Sequence, residues 1–74
     1  MSGKVAVKIS TYGWEWAWGN KPRGRGAWYF EFNAHHWATT IHEPAPPNLF
    51  YSEACAWARA RAKVVGAEYI ALMS

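Results

Sequence analysis

The segment G-N-K-P-R-G-R-G, Gly19 to Gly26, separates two aromatic runs, Y-G-W-E-W-A-W before it and A-W-Y-F-E-F-N after it, and no other stretch constrains the fold more. With three glycines and a proline it can continue neither a helix nor a ladder, so it reads as a long hairpin loop. Both flanking runs alternate. Tyr12, Trp14, Trp16 and Trp18 share one parity, as do Trp28, Phe30 and Phe32, which predicts two antiparallel strands with a cross-strand aromatic ladder. Pairing Trp16 with Phe30 would oppose Glu15 and Glu31, whereas pairing Trp16 with Trp28 keeps the ladder and avoids that repulsion.

Upstream, K-V-A-V-K-I-S alternates from Lys4 and puts Val5, Val7 and Ile9 on one face of a first strand. The aromatic run that follows has the opposite parity, so a β-bulge between Thr11 and Gly13 is expected. Downstream, Asn33 to His36 turns the chain, and Trp37 to Ile41 is predicted as a third strand. Glu43 to Asn48, with three prolines, reads as an extended loop. Ser52 then suits an N-cap with Glu53 in the first helical turn, and the helix runs to about Val65 before Gly66 stops it. Ala67 to Met73 alternates again as a last strand. Ala54, Ala58, Ala62 and Val65 share one helix face, with Cys55 and Trp57 at its margins. The expected fold is α+β, a single domain over residues 1–74. It has a small antiparallel sheet of about four strands in the order β-β-β-α-β, with one helix packed on one face. The alanine ridge lets the helix lie close to large side chains, so Trp14 and Trp16 are expected in the core. Trp18 and Trp28, nearest the basic loop, are expected to be exposed contacts.

A chain of 74 residues must build its core from bulky groups, and six Trp, four Tyr and three Phe supply them. The lone cysteine, Cys55, forms no internal disulfide, which fits a reducing, cytoplasmic compartment. Lys4 and Lys8 interrupt the first apolar stretch, and no run reaches the length of a membrane span, so neither a signal peptide nor a membrane partner is expected. There is no Asp and there are five Glu, which removes the common component of Mg2+ sites, kinase-type loops and Ser-His-Asp triads. His35 and His36 are adjacent, His42 is six residues further on, and neither a C-x-x-C nor an H-E-x-x-H spacing occurs. Cys55 borders the alanine face, where a cysteine acts as a small apolar residue rather than a nucleophile. No catalytic residue, metal or cofactor is expected, and the chain reads as a binding protein, not an enzyme.

The formal charge of +3 favours an anionic partner. Pro22-Arg23-Gly24-Arg25 resembles the P-R-G-R core of the AT-hook, which lays an extended Arg-Gly-Arg segment into the minor groove of A·T-rich DNA; the resemblance covers these four residues, with Gly26 where the closing Pro stands. It implies nucleic-acid contact through Lys21, Arg23, Gly24 and Arg25, beside Trp18 and Trp28. Arg59 and Lys63, four residues apart on the helix, form a second outward basic group, while Arg61 falls near the apolar arc and should snorkel or pair with a Glu. Loop and helix cations on one side would make a basic stripe that contacts phosphates. The expected partner is nucleic acid or a nucleoprotein surface. In size and in lacking a catalytic kit the chain is also similar to phage and mobile-element anti-defence proteins such as anti-CRISPRs, which implies a stoichiometric inhibitor working by protein contact.

Overall fold

The aromatic run before the loop is a helix. In the computed structural model, which describes residues 8–73, Tyr12–Trp18 forms α1, a two-turn helix, where alternation predicted a strand and a bulge. Over so few residues a period of two and a period of 3.6 are hard to separate, because Tyr12 and Trp16 are i,i+4 neighbours, as are Trp14 and Trp18. At about 100° per residue these pairs lie on opposite sides of the helix. Thr11 starts it, donating its hydroxyl to Glu15 Oε2 at 2.5 Å, and Gly19 ends it at φ 75°, with its N–H on the Glu15 carbonyl at 2.8 Å. The Trp16 to Trp28 ladder is therefore absent.

The other elements are β1 (Ile9–Ser10), β2 (Arg25–Gly26), β3 (Tyr29–Asn33), β4 (Ile41–Pro44), β5 (Leu49–Phe50), α2 (Tyr51–Val65) and β6 (Tyr69–Leu72). The fold is α+β, with a four-stranded sheet in the order β1-β6-β3-β4 and a separate two-stranded ribbon of β2 and β5. β6 runs antiparallel to β3 and parallel to β1, so the sheet is mixed rather than wholly antiparallel. Most of the strand predicted from Lys4 lies outside the described residues. The third strand is shifted from Trp37–Ile41 to Ile41–Pro44, because the turn after β3 continues: Asn33 Oδ1 accepts the Ala34 N–H at 2.8 Å and the Ala34 carbonyl accepts the Trp37 N–H at 3.1 Å. Pro44 is tolerated because β4 is an edge strand.

Helix α2 covers one face of the sheet. Registers Phe30↔Leu72 and Phe32↔Ile70 gather four large apolar residues there, and Ala54, Ala58 and Ala62, all fully buried, lie against them. The alanine ridge is thus the inner face of the helix, with Trp57 packed beside Phe30 and Phe32. Each phenylalanine so buried contributes about 1.5–3 kcal/mol. The N-cap is Phe50, not Ser52: Glu53 Oε1 accepts the Phe50 N–H at 2.9 Å, and the Tyr51 N–H reaches back to the Gly24 carbonyl at 2.9 Å. That last bond satisfies one of the orphan donors of the first turn from outside the helix. Gly66, at φ 81°, ends the helix as its sequence position predicts.

Two aromatic expectations reverse. Trp28 is 4% exposed, not a surface contact, and Trp16 is 82% exposed, not core. The Trp28 indole donates to the Leu49 carbonyl at 2.9 Å and its ring lies 5.3 Å from that of Trp14 and 5.1 Å from that of Tyr51. Substituting Trp28→Ala should cost about 3–5 kcal/mol, whereas Trp16→Ala should stay within about 0.5 kcal/mol of the parent. Urea unfolding of both variants checks this; a large loss in Trp16→Ala would contradict the placement of the helix.

Candidate functional site

Among the described residues, helix α1 is held by one side only. Trp14 packs against the core through Trp28, while Tyr12 and Trp16 on the opposite stripe are exposed at 76% and 82%. Trp18 stacks 5.6 Å from Trp14, yet remains 61% exposed because it closes the last turn. Large aromatic groups on a solvent-facing stripe are what contact surfaces are made of, since folding alone gives no reason to display them. Gly19 then turns the chain straight into the basic loop.

The loop has two halves with different duties. Gly24 to Trp28 is strapped to the 45–51 segment by the β2/β5 ribbon, by the Tyr51 N–H on the Gly24 carbonyl and by the Ala45 N–H on the Trp28 carbonyl at 2.8 Å. Arg25 belongs to this half: its guanidinium lies 4.4 Å over the Phe50 ring and donates to the Asn48 carbonyl at 3.4 Å. Lys21 and Arg23 are exposed, and among the described residues neither makes a hydrogen bond or an ion pair. Gly24 itself has φ 82°, which bends the backbone between Arg23 and Arg25 instead of extending it. The Arg-Gly-Arg segment thus differs in conformation from the extended one that a minor groove accepts.

The helix cations divide likewise. Arg61 forms a two-point pair with Glu43 on β4, Nε to Oε1 at 2.7 Å and Nη2 to Oε2 at 3.0 Å, the second of the two outcomes expected beside the apolar arc. Arg59 is exposed but engaged with neighbouring groups, and it lies near enough to Tyr51 to act on its hydroxyl. Lys63 is exposed in the last turn, about 18 Å along the axis from Tyr51 at 1.5 Å per residue. Trp18, Lys21 and Arg23 are thus exposed and follow one another closely in the chain, whereas Lys63 lies at the opposite end of α2 from Tyr51, whose N–H bonds the Gly24 carbonyl.

Cys55 is 8% exposed on α2. One turn before it, the Tyr51 hydroxyl is held above its usual range, first by burial and then by its hydrogen bond with the Cys55 thiol. This is a packing environment, shared with Trp28. Among the described residues no group of three His, Cys, Asp or Glu side chains could hold a metal, and no helix is long and apolar enough to cross a membrane.

The face of the sheet opposite α2 carries features that the sequence pattern alone did not single out. Tyr29 and Tyr69 stand there half exposed, on the two central strands. The signal was present in parity alone: Tyr29, Glu31 and Asn33 alternate with the buried Phe30 and Phe32. Comparison with known protein families, with curated proteins and with solved structures finds no match to this chain, so its functional reading rests on its own residues.

Two outcomes follow from these placements. The Arg61 guanidinium, chiefly by hydrogen bonding, holds the Glu43 carboxyl below its ordinary value of 4.5, so the pair stabilises the fold above that pH and the contribution fades as pH falls through the lowered folded value. The gap in urea midpoint between the parent and Arg61→Ala should accordingly be widest at neutral pH and close on acidification; a gap that widens in acid would contradict the pairing. Cys55→Ala should keep both fold and binding, with thiol labelling of the native parent slow until denaturant is added. Loss of binding in a well-folded Cys55→Ala variant would assign the thiol a direct role.

Proposed function

We propose that this chain is a non-catalytic binding protein for nucleic acid, and that it takes single strands, with bases stacking on the outward aromatic stripe of α1 and phosphates meeting Lys21 and Arg23. The observation that carries this reading is the 82% exposure of Trp16, one turn from Tyr12 and followed within the same segment by two cations that make no ion pair among the described residues. Aromatic platforms beside uncommitted positive charge are the common physical solution for single strands, because every base has a π-face and every nucleotide a phosphate. The bend at Gly24 and the engagement of Arg25 with Phe50 support a single strand over a duplex groove. A reducing, cytoplasmic setting suits the lone Cys55.

The test is titration of the intrinsic Trp fluorescence with single-stranded and duplex oligonucleotides at two salt concentrations. Single strands should bind more tightly. Replacing Lys21 and Arg23 with Ala should leave the melting curve unchanged and lower the salt slope by about 0.7 per lost phosphate contact. Trp16→Ala should weaken binding by about 1–3 kcal/mol, the usual contribution of one stacked base. An absence of oligonucleotide binding at low salt would sink the proposal, and the same exposed stripe would then be a protein-docking surface of the kind a stoichiometric inhibitor of a nucleoprotein complex needs.

A further inference from the structure

The face of the four-stranded sheet opposite α2 holds a depression of about 210 Å3, lined by Ala71 together with Lys8, Ser10, Glu31, Asn33 and Tyr69. Register explains it. Ala71 lies opposite Glu31 on one side and Ser10 on the other, and Tyr69 lies opposite Asn33, so a small residue is ringed by larger polar ones. The volume is below the 300–1,000 Å3 or so of ordinary small-molecule pockets, which limits an occupant to a group about as large as one base.

The lining has a definite hydrogen-bonding character. Glu31 and Asn33 are two residues apart on the same face of β3. A carboxylate only accepts, and one Glu31 oxygen is committed no further than a 3.9 Å approach from His42 Nε2. Asn33 commits its Oδ1 to the Ala34 N–H at 2.8 Å, which leaves its amide N–H groups as donors. Tyr69 is held in place: its hydroxyl hydrogen-bonds His35 Nε2, the two rings meet edge to face, and the His35 N–H is fixed on Glu68 Oε1 at 2.7 Å. Lys8 puts an exposed cation at the rim.

We propose that this depression is a subsite for one base of a single strand and that it selects guanine. The inference rests on the nucleic-acid reading above for its occupant. Guanine presents two adjacent N–H donors, N1–H and the N2 amino group, beside a carbonyl acceptor, O6. A carboxylate that accepts both donors and an amide that donates to the carbonyl complement that edge, whereas adenine offers Glu31 one amino donor and offers Asn33 no carbonyl. Tyr69 supplies an aromatic surface for the base and Lys8 a charge for its phosphate, the division of labour by which single-stranded bases are read. Ser10 in the rim is followed two residues later by Tyr12 of the α1 stripe, so one strand crossing both surfaces needs no long detour.

The test uses the 15N-labelled full chain and two thymidine decamers, one with a central guanine and one with a central adenine. The guanine decamer should bind about tenfold more tightly, the discrimination expected of one good bidentate contact, and should shift the amide resonances of Ser10, Asn33 and Ala71. Glu31→Gln should erase the preference and leave the binding common to both decamers. Ala71→Leu, which fills the depression without touching the carboxylate, should erase it too, so a folding defect in one variant does not decide the matter. Equal affinity for the two decamers, with shifts confined to α1 and the loop, would overturn the subsite and leave the α1 reading standing. Guanine-dependent shifts in the depression with none on α1 would support the subsite and overturn the α1 reading; silence at both surfaces would overturn both.

Discussion

Trp28 is the side chain on which the rest of the structure depends. It leads into β3, the strand between β6 and β4, and it meets four other parts of the chain at once. Its indole N–H bonds the Leu49 carbonyl in the ribbon, its ring contacts Tyr51 at the start of α2 and Trp14 of α1, and its carbonyl takes the Ala45 N–H. A small domain has few residues with which to fix several elements, and an aromatic group with one polar atom can do so because it combines a large buried area with a directed bond. The short ribbon of β2 and β5, too small to be stable alone, persists because Trp28 and the first turn of α2 close it from both sides.

What the sequence made legible is what local chemistry decides. The glycines of the 19–26 loop, the stop at Gly66, the alanine ridge of α2, the Phe30 and Phe32 face of β3 and the pairing of Arg61 with a Glu each follow from one segment and its side chains. The identity of Tyr12–Trp18 did not, since seven residues with aromatics at every second place satisfy both periods. What decides between them lies outside the segment, in the contact of Trp14 with Trp28. The parallel pairing of β1 with β6 joins residues some sixty positions apart, Ile9 with Ile70, and no local pattern announces it. For the candidate site, the loop cations and Trp18 could be read directly, whereas the burial of Trp28 and the depression over Ala71 need the register of strands distant in sequence.

The positive charges are sorted by what the fold has already engaged. Arg61 is tied to Glu43, joining α2 to the edge strand, and Arg25 is laid on Phe50 inside the ribbon. Such groups are poor phosphate ligands, because a partner would have to displace contacts already made. Lys21 and Arg23 carry no such prior engagement among the described residues, and they follow the exposed aromatics in the chain. Net charge alone does not locate a binding surface.

Helix α1 carries Trp14 against the core and leaves Tyr12 and Trp16 outside. A helix of seven residues, with Gly13 inside it, is not stable by propensity. Its stability comes from the docking of Trp14, and that docking is imperfect, since the buried Trp14 indole N–H finds no acceptor among the described residues. A buried donor left unpaired costs about 1–3 kcal/mol. The element that displays Tyr12 and Trp16 thus depends on the docking of Trp14. In the binding role proposed above, a partner covering the outward stripe would remove exposed apolar area and hold the helix in place. The i,i+4 spacing that puts Trp14 inside is the same spacing that leaves Tyr12 and Trp16 outside, and neither pair can be moved without moving the other.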